Sequence, residues 1–202
     1  MTNKVSPRRR TRIRRGERRY NAFTVIELVV VSTIILILTG LVLSTVGYAR
    51  KKGARARAET EIAAMSAACE NYKADNGIYP RDAATTDVLN SKVSGNPSAY
   101  QGASLYLYNA LFGATAGSRT PNTGARSYFV FKPNMLFPAD QTQNVQYVQD
   151  PFGNSYGYST IQAAGGSGGY NPTFDLWSTA GLTSDPPTPA NDTITPQWIK
   201  NW

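Results

Sequence analysis

Gly165-Gly166-Ser167-Gly168-Gly169 spells G-x-S-x-G, the spacing that lifts a serine nucleophile onto a strand-to-helix turn. The chain has no histidine, so the usual base for that serine is missing, along with His-based triads and the usual zinc and haem sites. The five residues lie in a low-complexity glycine stretch and read as a flexible strand connection. Cys69 stands alone, which excludes an internal disulfide framework and a Cys-rich metal site. No phosphate-cradling P-loop is present, so no nucleotide-driven step is expected of the chain itself. These absences point away from an enzyme. The group left with chemistry to do is Glu27, in Phe23-Thr24-Val25-Ile26-Glu27-Leu28 at the front of an apolar run. A carboxylate there is costly to desolvate unless it meets a cation.

The elements that must position Glu27 are legible in the charge pattern. The 202 residues carry 21 Lys+Arg against 13 Asp+Glu, a formal charge of +8. Residues 1–22 hold nine of the bases and one acid, and residues 23–202 hold 12 of each, so a basic leader precedes a neutral protein. Residues 28–49 run for 22 positions without a formal charge. As a helix this is about 33 Å, enough to cross a hydrocarbon core of about 30 Å. Its hydroxyl residues, Ser32 and Thr33 among them, can satisfy themselves on helix carbonyls. The arginines from Arg8 to Arg19 outnumber Arg50, Lys51 and Lys52 beyond the span, so the positive-inside rule puts the N-terminus in the cytoplasm and the C-terminal bulk outside. The arginine run abuts a span and lacks interleaved aromatics, so no nucleic-acid partner is expected.

With no proline between Pro7 and Pro80, one helix is predicted from about Phe23 to about Asn76. Beyond the membrane half, Ala54, Ala58, Ile62, Met65, Cys69 and Tyr72 form an apolar stripe fit to carry a sheet, with Glu59, Glu61, Glu70 and Lys73 off it. Gly77 and Pro80 end the helix. Eleven of the 12 prolines and 12 of the 17 glycines fall in residues 80–202, which predicts loops and short strands. An extended loop is expected over 80–103 and a short helix after Ser104, ending at Gly113. Residues 114–126 read as a mobile connection, and Tyr128–Lys132, Val145–Gln149, Tyr156–Ile161 and Phe174–Ser178 as strands.

The basic leader, Asn21-Ala22-Phe23-Thr24-Val25-Ile26-Glu27-Leu28 and the long apolar helix together resemble the processing motif of the type IV pilin-like family. Tyr72-Lys73-Ala74-Asp75-Asn76-Gly77-Ile78-Tyr79-Pro80, Asp150-Pro151-Phe152-Gly153-Asn154, Phe174-Asp175-Leu176-Trp177-Ser178 and the Asn201-Trp202 pair resemble the major pseudopilins of type II secretion in particular. The resemblance implies an α+β pilin-like fold, with a long N-terminal helix packed on a small antiparallel sheet. It implies a cleaved leader (1–22), a membrane or filament-core half (23–49), an amphipathic half (50–77) and a globular head (78–202). Cleavage would fall between Ala22 and Phe23, where the family usually has Gly before the cut, with N-methylation of Phe23. Glu27 would neutralise the terminal amine of a neighbouring subunit. The family group also carries calcium in the loop after Trp-Ser. This chain lacks that loop's usual pattern and offers Asp185, Asn191 and Asp192 as candidate ligands.

What the resemblance implies for function is a structural subunit that polymerises into a periplasmic pseudopilus for type II protein secretion. Its expected partners are copies of itself, minor pseudopilins, a prepilin peptidase and an inner-membrane assembly platform. It would begin as a single-pass protein of the bacterial inner membrane with a periplasmic head. The alternatives are a type IV pilin of a surface pilus and a membrane-anchored binding protein that does not polymerise. A single cysteine cannot close the C-terminal disulfide loop common in surface pilins.

Overall fold

The computed structural model describes residues 23–93, 95–183 and 195–202. The chain divides into two units, Met1–Val46 and Gly47–Trp202. Helix α1, Val25–Asn76, supplies the described part of the first unit and opens the second. It ends as the sequence predicts: Gly77 takes φ +78°, a left-handed conformation that glycine adopts without steric cost, and its N–H donates to the Lys73 carbonyl at 2.8 Å.

In the second unit the apolar stripe of α1 becomes one wall of the core. Ala58, Ile62, Met65 and Cys69 are buried, and Tyr72 packs beside them. Glu61 departs from the expectation that acids stay off this face. It is buried, accepts from Arg57 Nε at 2.6 Å and accepts from the Tyr156 hydroxyl at 2.7 Å. Its spacing from Ala58 and Met65, three and four residues, puts it on the stripe, and the two partners make the burial tolerable.

Helix α2, Gln101–Phe112, lies against this wall through Leu107, Tyr108 and Leu111. It starts earlier than predicted because a 3-10 turn, Pro97–Tyr100, feeds directly into it. That turn is capped by Asn96, whose side chain accepts from Ser98 N–H. Ser104 is therefore inside the helix rather than at its cap, and its hydroxyl oxygen accepts from the Val148 N–H at 2.9 Å. The predicted stop holds: Gly113 is left-handed, and its N–H reaches the Asn109 carbonyl.

Two small antiparallel sheets complete the head. Strands β1 (Leu136–Phe137) and β2 (Tyr147–Val148) pair with Leu136 opposite Val148. Strands β3 (Gly157–Ser159), β4 (Asp175–Ser178) and β5 (Ile199–Lys200) form the order β3-β4-β5. A bridge between Gln149 and Ser155 connects the two sheets. β4 is buried on both faces: Leu176 joins the main core, whereas Trp177 joins a second cluster with Leu89, Tyr100, Ala103 and Trp198.

Two further expectations fail for clear reasons. Residues 128–132 form no strand, because the Tyr128 and Phe129 N–H groups both turn onto the Leu111 carbonyl at the end of α2. The 114–126 connection is pinned down. Gly117 donates to Asn109 Oδ1 and accepts from Val145 N–H, and the Ser118 carbonyl accepts from the buried Tyr108 hydroxyl. Burial pushes the Tyr108 phenol up to about 12. The overall expectation stands: a long N-terminal helix is followed by a small antiparallel sheet, an α+β pilin-like layout.

Candidate assembly site

Local sequence dictates how α1 begins. Thr24 precedes the first helical residue, and Glu27 lies three positions on, the pattern of a capping box. The Glu27 N–H donates to Thr24 Oγ1 at 3.3 Å, and the Thr24 N–H donates to Glu27 Oε2 at 2.8 Å. The Thr24 hydroxyl also donates to the same carboxylate oxygen at 2.8 Å. Reading Glu27 only as a carboxylate in need of a cation misses this role, although the T-x-x-E spacing announces it. The box orients the acid back toward the start of the helix, in the direction of Phe23. An acid in the first turn also suits the helix dipole.

Behind Glu27 the described apolar side chains of the first unit are exposed. Phe23 is 84% exposed and Leu36 73%, and Val29, Ile34, Ile37 and Leu41 are all exposed. The hydroxyls behave as expected: Ser32 donates to the Leu28 carbonyl and Thr33 to the Val29 carbonyl, each at 2.8 Å. The helix is long and apolar enough to cross a membrane. Such a segment near the N-terminus fits a single-pass membrane anchor.

In the second unit several buried acids are held by the fold itself. Asp150 accepts from the N–H groups of Phe152 and Asn154 and from the Ser178 hydroxyl, which ties its turn to the end of β4. Burial raises its carboxyl above the ordinary range despite these bonds. Asp175 accepts from Tyr170 N–H, Asn171 N–H and the Ser91 hydroxyl. The glycine stretch around the exposed Ser167 is packed rather than loose: a side chain on Gly166 would collide with Ile161, and one on Gly168 with Asn90. Cys69 is fully buried, and burial pushes its thiol well up, which makes it a poor nucleophile.

Of the residues singled out from the sequence, Phe23 and Glu27 lie one helical turn apart at the start of α1. Ala22 and the rest of the leader, and the calcium candidates Asp185, Asn191 and Asp192, lie outside the described residues. Among the described residues no group of three or more Cys, Asp or Glu side chains could hold a metal ion.

A long N-terminal helix followed by a small antiparallel sheet is an α+β pilin-like layout. Residues 45–112 match the model of the family described as type II secretion system protein G. A type II secretion system core protein G from Aeromonas hydrophila is 33% identical over 81 residues, covering 40% of this chain and 57% of that relative. The protein of the same name from Pseudomonas aeruginosa is 36% identical over 80 residues, covering 40% of this chain and 56% of the relative. The chain thus spans little more than half the length of these curated relatives. No solved structure matches it. The matched stretch is thus similar to the type II pseudopilin-like family, and both relatives are named as core proteins of a type II secretion system.

Proposed function

We propose that this chain is a pseudopilin-like structural subunit of a type II secretion system. Its precursor is anchored by α1, cut between Ala22 and Phe23 and N-methylated at Phe23. It then packs by its apolar stem against copies of itself and minor pseudopilins in a periplasmic filament. A prepilin peptidase and an inner-membrane platform act on it along the way.

The observation that carries this reading is the uncovered stem. Among the described residues, the apolar side chains from Phe23 to Leu38 are exposed, a surface that lipid or neighbouring helices would cover. The capping box adds a reason for the position of Glu27. Its carboxylate already faces the start of the helix, where cleavage before Phe23 would create an ammonium. In a filament the acid of one subunit would take the amine of the next, a buried pair that fixes register more than it adds stability.

Two measurements test the proposal. Mass spectrometry of the protein purified from its own membrane is expected to show the loss of 22 residues and the gain of one methyl group. Crosslinking in membranes is expected to give a ladder for the wild type and a sharply reduced one for Glu27→Ala. An intact precursor, or a ladder unchanged by Glu27→Ala, would overturn it.

A further inference from the structure

Inside the Gly47–Trp202 unit, an open groove of about 860 Å³ runs beside the first turns of α1 after the uncharged stretch. One wall is cationic and carries Lys51, Lys52 and Arg55, with Tyr48 at its near end. The other is largely apolar, with Phe152 and Leu182. Arg55 is partly committed: it donates to the Gln197 carbonyl at 2.9 Å and lies 3.4 Å from Glu59. Lys51 and Lys52 are exposed, and among the described residues they make no ion pair and no acid lines the groove. The size is that of a small-molecule site.

Sequence position says what such a groove meets. Tyr48 lies within the uncharged stretch that ends at Ala49, and Arg50, Lys51 and Lys52 follow at once. An amphipathic tyrosine followed by lysines is the composition of a membrane–water boundary. An occupant must offer negative charge to one wall and hydrocarbon to the other. We propose that the groove holds the headgroup of an anionic phospholipid, its phosphate on Lys51 and Lys52 and its glycerol-acyl shoulder against Phe152 and Leu182. Ammonium–phosphate hydrogen bonds are charge-assisted and strong, and a juxtamembrane basic cluster is drawn to anionic lipid. The proposal goes beyond the filament reading and does not depend on it, since it needs only the anchor.

The test uses the full chain in detergent, titrated with dihexanoyl-phosphatidylglycerol, dihexanoyl-phosphatidylcholine and inorganic phosphate, with bound lipid read by native mass spectrometry. Phosphatidylglycerol is expected to bind at least roughly tenfold tighter than either of the others. The Lys51→Gln/Lys52→Gln double variant is expected to lose roughly thirtyfold of that affinity. Lys132→Gln, exposed and outside the groove, is expected to leave it unchanged. Equal binding of the two lipids, phosphate binding as tightly as phosphatidylglycerol, wild-type affinity in the double variant, or an equal loss in Lys132→Gln would each overturn the proposal. Matching circular dichroism melts confirm that the variants fold.

Discussion

Glu61 shows how one buried acid links two distant parts of the head. It receives a hydrogen bond from Tyr156, 95 residues away, and an ion pair from Arg57 on its own helix. The Arg57 side chain is 40% exposed, so water can replace Glu61 as its partner. The Tyr156 hydroxyl is buried and has no such recourse. Glu61→Ala is therefore expected to cost about 2 kcal/mol, most of it from the orphaned hydroxyl. Glu70→Ala, which removes an exposed acceptor from Tyr79, should cost under about 1 kcal/mol. Denaturant titration of the two variants measures the difference, and equal losses would refute the assignment. The sequence already contains the clue in the 58-61-65 spacing. Sorting residues by charge alone hides it, because a buried acid is recognised only through its partners.

At the scale of elements, Gly157 decides how β3 meets β4. It lies directly opposite Trp177, and a Cβ there would come within 2.1 Å of the indole ring. Trp177 is fully buried between Tyr100 and Trp198 and has nowhere to move. Gly157→Ala is expected to destabilise the head by about 1–3 kcal/mol or more and to shift tryptophan fluorescence. Ala at Gly124, which is left-handed but has open space around it, should cost only about 1 kcal/mol of backbone strain. The helices were legible beforehand because α1 is long, periodic and closed by glycine. The strands were legible only in part. β1 and β5 are two residues each and carry no period at all. The aromatic run at 128–132 looks like a strand but is claimed by the end of α2. The capping box at Thr24 and Glu27 was readable, whereas the cationic groove was not, because Phe152 and Leu182 join the lysines only through the fold.

For the whole molecule, the two units differ in kind. The described apolar residues of the first are on the outside, whereas the second buries a core around the latter half of α1. Ala58, Ile62, Met65, Ala68 and Cys69 are part of the head's core although they belong to the long N-terminal helix α1. A fragment starting at Gly47 is expected to melt cooperatively, and one starting at Pro80 to lack a sharp transition, as read by circular dichroism. A cooperative melt of the shorter fragment would show that the sheet and α2 suffice alone. The consequence bears on how such chains can be recombined. Stem and head are not interchangeable cassettes joined at the glycine that closes the helix. A graft onto a foreign anchor has to be spliced upstream of Ala54, near Gly47, so that the recipient inherits the inner face of its own spine.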